Sequence, residues 1–265
     1  MSSKGVNRRQ FLTLPLALLL SPLAALGAEP QARKSRYAAD VGILYDMLNF
    51  HVDGTIDEVV DRGAGRYRIT VAGQGSSIAN RIESEGVLHE GRWAPVRSAA
   101  WFQVHGRESR SRIVYDYGRR SIDYHAQAET FFLRRLRVVD DVVAIPEGMR
   151  VDDVMSAILN FADGQWPPHP DGAYRTHVVR RYRADDEGAD EVAKSYRGEL
   201  APFELRVTAD PTSGKPTALF DLTRFSSWAR QNRPARIVFN QQRRPELITT
   251  SMMLGTSVTI RLTEV

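Results

Sequence analysis

Apolar and polar side chains change places residue by residue along most of the chain. Tyr67, Ile69 and Val71 alternate with Arg66, Arg68 and Thr70, and Ile122, Tyr124, Ala126 and Ala128 alternate with Ser121, Asp123, His125, Gln127 and Glu129. The same period of two recurs at Phe203, Leu205 and Val207 and at Val258, Ile260 and Leu262. Successive side chains on a strand point to opposite faces, so each run predicts a strand with one apolar face. Turn residues separate the runs: RGAG at 62–65, Glu90-Gly91, Tyr117-Gly118, DPTSG at 210–214 and Leu254-Gly255. Many strands with tight turns predict a mainly β chain: a curved antiparallel meander closed as an open barrel or a sandwich.

One segment changes period. Val151, Val154, Met155, Ile158, Leu159 and Ala162 recur at helical spacing, with Asp152 and Asp153 in the first turn, where carboxylates complement the helix dipole. This predicts one α-helix near residues 151–162, packed on the sheet by a single apolar stripe. QWPPHPDG at 165–172 cannot be regular structure, because Pro167, Pro168 and Pro170 remove ladder donors. Residues 225–231 predict a second, shorter helical piece. With no internal repeat and no linker, residues 37–265 read as a single β-rich domain behind a flexible lead-in at 29–36.

Residues 1–28 differ in kind. Arg8 and Arg9 are followed by one spacer and then Phe11 and Leu12; from Phe11 to Leu26 no residue is charged, and Pro15 and Pro22 interrupt the run. Those 16 residues fall short of the roughly 20 that a bilayer-spanning helix needs. The order of basic, apolar and small-residue regions predicts an export signal of the twin-arginine type, cleaved after Gly27 or Ala28. Its expected partners are the twin-arginine translocase and signal peptidase. The processed chain is expected to be soluble in the periplasm, with no stable transmembrane anchor.

The absence of cysteine removes disulfides and the lipid-bearing residue of a lipoprotein. The leader takes three of the 36 basic residues and none of the 32 acidic ones, which leaves the remainder near +1 rather than +4. The basic precursor therefore gives no argument for nucleic-acid binding. Local clusters such as Arg134, Arg135 and Arg137 sit beside acidic pairs and read as mixed-charge surface, or as a groove for anionic envelope polymers.

Several segments resemble the bacterial family DUF3108, exported β-rich proteins of unknown function. Tyr37, Gly42 and Gly54 fit its opening strands, Gly65 to Thr70 (GRYRIT) the next, and Ser84 to Val87 (SEGV) with Gly91 and Pro95 its hairpin. Ile113 to Asp116 (IVYD) resembles its following strand and Val151 to Leu159 its single helix, which carries an aspartate and a serine at this spacing. The resemblance spans residues 37–161 and implies a sheet wrapped on a helix.

Candidate chemistry is sparse. The six histidines follow no metal-ligand spacing, and His169 and His177 around Asp171 form the only local group. No GxSxG elbow is present, Ser156 lies inside the expected helix, and the pairs Asp140-Asp141 and Asp152-Asp153 point apart as sequence neighbours. The reading names no catalytic residue, no metal site and no cofactor. Aromatics offer the better hint: Trp166, among three prolines, is expected to be partly exposed, as the gate of an apolar cavity or a platform for a sugar ring. Trp166, Met155, Leu159 and Trp101 are the candidate ligand-binding residues. The leading expectation is a periplasmic, non-enzymatic binding or carrier protein for an apolar or amphiphilic envelope component, a lipid or polysaccharide, with the 165–172 loop as its lid. The alternatives are an envelope scaffold offering a sheet edge and a hydrolase of envelope polymers.

Overall fold

The computed structural model describes residues 29–43, 48–130, 133–184, 187, 190–223, 225, 229, 232–252 and 256–265. The export motif (Arg8, Arg9, Phe11 and Leu12), most of residues 225–231 and the Leu254-Gly255 turn lie outside them.

Within the described residues the alternating runs become strands: β1 (Gln31–Ile43), β2 (Leu48–Asp61), β3 (Arg66–Gly75), β4 (Ile78–His89), β5 (Arg92–Val104), β6 (Arg107–Asp116), β7 (Ser121–Glu129) and β8 (Leu136–Ala144). Then come the helix α1 (Val154–Ala162) and β9 (Ala173–Arg181), β10 (Gly198–Ala209), β11 (Pro216–Phe220), β12 (Ala235–Phe239), β13 (Pro245–Ser251) and β14 (Ser257–Glu264). All are neighbours in one 14-stranded sheet in the order β8 to β1 and then β14 to β9. Every ladder is antiparallel, the first and last strands meet where β1 pairs β14, and β8 and β9 are the edges. The β8 edge meets the segment that enters β10: Val139 of β8 bridges Tyr196, and Gly198 N–H donates to Asp141 Oδ2 at 2.7 Å. The result is a nearly closed barrel.

The turns work as their composition requires. Asp61, Asp116, Asp210 and Asn240 each turn a side-chain oxygen onto a backbone N–H two to four residues on, at 2.7–3.1 Å. Gly65 takes φ +61° and its carbonyl accepts from Leu88 N–H at 2.8 Å, which ties one hairpin to the next.

Residues 29–36, expected as a flexible lead-in, are ordered from Gln31 onward. Gln31 to Arg36 pair with Val60 to Thr55 of β2 as the first half of β1. Their polarity misled because Arg33 and Ser35 face a charged end of the barrel rather than its apolar middle.

The inner face can be followed across strands, since cross-strand partners share a face. One row runs Ile56–Val71–Ile82–Ala100–Ser111–Ala126–Val139 from β2 to β8. Close packing at one end depends on glycine. Tyr37 lies across Gly54, where a Cβ would sit 2.3 Å from its ring, and Tyr67 lies across Gly86 at 2.2 Å. Those two rings occupy the space that side chains at 54 and 86 would otherwise fill.

The helix lies inside the barrel and differs from expectation at its start. Val151 forms a bridge to His177, Asp152 is fully buried ahead of the helix, and Asp153 is the N-cap. Val154, expected on the apolar stripe, is 60% exposed, while Ser156 and Asn160 are fully buried. A single stripe is therefore the wrong picture. Leu159 enters a core cluster with Tyr37, Val52, Tyr67 and Trp93, and Ala157 and Phe161 enter a second with Trp166, Leu205 and Phe239. A third cluster, around Tyr115, Ile122, Ile145 and Val151, fills the lumen beneath the loop that leads into the helix.

Candidate functional site

Two faces of α1 have opposite character. Towards β4 and β5 the contacts are polar and closed. Asn160 Oδ1 accepts from Trp93 N–H at 2.8 Å and its Nδ2 donates to Trp93 O at 2.7 Å. The β5–β6 ladder stops at Arg97, so the amide of Asn160 supplies Trp93 with the partners a neighbouring strand would have given. Asp152 accepts from Arg92, from Thr176 Oγ1 at 2.5 Å, from Ser156 Oγ at 2.9 Å and from Asn160 Nδ2 at 3.1 Å. This is a buried carboxylate with its charge compensated and its lone pairs occupied.

Asp153 and Ser156 close a capping box: Ser156 N–H donates to Asp153 Oδ1 at 2.8 Å, and Asp153 N–H donates to Ser156 Oγ at 3.0 Å. Ser84 Oγ adds a bond to Asp153 Oδ2 at 2.6 Å, with the Tyr67 hydroxyl 3.0 Å behind it. Burial holds the Asp153 carboxyl above the usual carboxylate range, against the pull of the Ser156 and Ser84 donors, with the Asp152 charge adding to the rise. Burial also pushes the hydroxyls of Tyr67, Tyr115 and Tyr117 upward.

A serine beside two carboxylates invites a catalytic reading, but Ser156 and Asp152 are fully buried and their oxygens are spent on the cap and the ion pair. No substrate can approach them without dismantling the helix start. His177 lies on β9 against the carbonyl of Arg150, and His169 closes a turn with Ala173. Among the described residues no three His, Asp or Glu side chains form a metal cage.

The other face of α1 stands away from the barrel wall. Met155 and Ile158 look across a cavity of about 250 Å³ at Ile56, Ile69 and Leu262 of β2, β3 and β14. Its rim is charged and internally paired. Arg244 donates to both oxygens of Glu58 at 2.8 and 3.0 Å, and Arg33 is bound to Glu264. Burial lowers the Arg33 pKa, the Arg244 charge lowers it further and Glu58 opposes both. An apolar trough with a polar rim accommodates an apolar body with one polar end. Typical small-molecule pockets hold roughly 300–1,000 Å³, so this one suits a single short chain or ring and not a diacyl lipid.

Beyond the helix the lumen is only partly filled. Ile82, Ala100, Ser111 and Ala126, all on the inner row, are half-buried, and Phe102 in the next row is 40% exposed.

Of the four residues nominated from sequence, Met155 lines the cavity and Leu159 is completely buried behind it in the core. Trp166 is 3% exposed, stacks near Phe203 and Tyr174 and donates its indole N–H to Arg175 O at 3.0 Å. The ring is therefore packed against β9 and β10 instead of being presented to solvent, which leaves no exposed gate or sugar platform at Trp166. Trp101 pairs with Arg81 and Arg110, so it belongs to the outer row and not to the lumen. Sequence reasoning missed Asp152, Asn160 and Arg92. Its available signal was the polar spacing of Asp152, Ser156 and Asn160, one helical turn apart, inside an apolar segment.

No protein-family model matches the chain, and no curated protein matches it. Among solved structures, the crystal structure of a beta-barrel-like protein of domain of unknown function DUF1849 from Brucella abortus is similar. It is 8% identical, with 88% of this chain and 95% of that chain covered and a TM-score of 0.38. The resemblance to DUF3108 rests on the residues quoted above alone.

Proposed function

We propose that the chain is an exported, non-enzymatic binding barrel of the bacterial envelope that holds one apolar or amphiphilic molecule beside α1. The observation that carries this reading is the apolar cavity between Met155 and Ile158 and the barrel wall, at a helix face closed neither by hydrogen bonds nor by core packing. Its volume favours a single-chain amphiphile. Its rim favours a polar head without strong net charge, because Arg33 and Arg244 already hold carboxylates.

The twin-arginine leader supports export to the periplasm, and the resemblance to DUF3108 agrees with it. A scaffold that works by strand addition is less well supported. The edge of β8 is engaged by the segment before β10, where Arg137 donates to Glu191 O at 2.7–2.9 Å and Val139 bridges Tyr196. Native mass spectrometry of the protein purified from its own periplasm, followed by lipid extraction, tests the proposal. A co-purifying amphiphile near one per chain is expected; a bare mass that takes up no single-chain amphiphile would overturn it.

A further inference from the structure

A second cavity, of about 370 Å³, opens on the barrel end where the β4–β5 turn, the β6–β7 turn and the loop from β8 to α1 meet. Its lining is basic. Arg92, Arg120 and Arg150 come to it from those three segments, together with His89 and Tyr117. Arg92 is 8% exposed and held against Asp152, and its Nε is buried without a hydrogen-bond partner. Arg120 reaches Glu147 only at 3.4 Å, and among the described residues no carboxylate pairs with Arg150. Glu90 also lines the cavity, but its side chain is 84% exposed and that of Glu147 is 92% exposed, so solvent screens both.

Three guanidinium groups in a partly enclosed space, one fixed by a buried ion pair, form a receptor for an oxyanion. The lining also carries flat and apolar groups. The rings of His89 and Tyr117 stack at 4.9 Å and 26°, and Ile145 and Met149 form the floor. We propose that this cavity binds a small organic oxyanion, a carboxylate or phosphate ester, on a flat apolar body. The anion faces Arg120 and Arg150, and the body lies against Tyr117 and Met149. The site shares no lining residue with the cavity beside Met155 and does not depend on it.

The test is calorimetric titration of the processed chain with phenyl phosphate, benzoate, phenol and inorganic phosphate. Saturable binding of phenyl phosphate and benzoate is expected, weakening as salt is added, with none for phenol and weaker binding for inorganic phosphate. The double variant Arg120→Gln, Arg150→Gln should lose about tenfold or more in affinity at an unchanged unfolding midpoint, since neither side chain is part of the core. Met155→Trp should leave this binding intact, which separates the site from the other cavity. Failure of both organic anions to bind, or undiminished binding by the double variant, would overturn the proposal. Inorganic phosphate binding as tightly as phenyl phosphate would overturn the assignment of the flat body.

Discussion

The face of α1 and its N-terminal lead that meets β4 and β5, and the face that looks across a gap at β2, β3 and β14, do different work. On the first, Asp152, Ser156 and Asn160 spend nearly all their hydrogen-bonding capacity on Arg92, Thr176 and the backbone of Trp93, and no space is left. On the second, Met155 and Ile158 meet other apolar groups across an unfilled gap. A polar contact has strict geometry and, once buried, is costly to leave half-made, so it fixes where the helix sits. An apolar contact is tolerant of distance, so this is the face on which room for a ligand can be kept. The locked face holds the open one in place.

Breaking the locked face should have the largest effect. Asp152→Ala strands the Arg92 guanidinium in the core and removes an acceptor from three donors, a loss of about 3–5 kcal/mol measured by chemical denaturation. Asn160→Leu leaves the Trp93 N–H and C=O without partners and should cost about 2–4 kcal/mol in the same measurement. On the open face, Met155→Trp should fill the cavity and weaken amphiphile binding by about tenfold or more, while changing stability by less than about 1.5 kcal/mol.

Asp153 sharpens the contrast through pH. Its folded-state pKa is raised, so between that value and its ordinary one the folded chain binds more protons than the unfolded chain. Stability from this group is therefore gained as pH falls through that window. The carboxylates of Asp171, Glu204 and Asp210 have lowered values and lose their contributions as pH falls, so they oppose it. Asp153→Asn keeps a good cap and removes the titration, with the Ser84 hydroxyl turned to accept from the new amide. Its stability relative to the parent chain should be highest near neutral pH and decline towards pH 4, read from denaturation midpoints. The smallest effect is expected at Trp101→Ala on the outer row, with amphiphile binding unchanged.

How much of this was legible in the sequence depends on the range of the interaction. Strands and turns are local, and alternation at Tyr67–Ile69–Val71 and the turn runs RGAG at 62–65 and DPTSG at 210–214 announced them. The helix was legible in extent to within three residues at its start, but not in its orientation. Asp152 looked like a first-turn carboxylate, and its partner Arg92 lies 60 residues away. Trp166 shows the reverse error: local proline chemistry suggested exposure, whereas Phe203 and Tyr174, brought in by β9 and β10, cover the ring. Met155 was nominated because an apolar residue on a helix beside a curved sheet is a natural place to expect a ligand wall, and it lines the cavity. The charged rim was not, since Arg33 and Arg244 meet only through closure of β1 on β14.

The central claim is that the space beside Met155 and Ile158 is a binding site. Its most direct measurement is methyl NMR of residues 29–265, labelled at methionine and isoleucine, titrated with a single-chain amphiphile below its micelle concentration. Saturable shifts confined to Met155, Ile158, Ile56 and Ile69, with Ile122 unmoved in its separate cluster, are the predicted result. Spectra unchanged to saturation, or shifts spread evenly over all methyls, would contradict it.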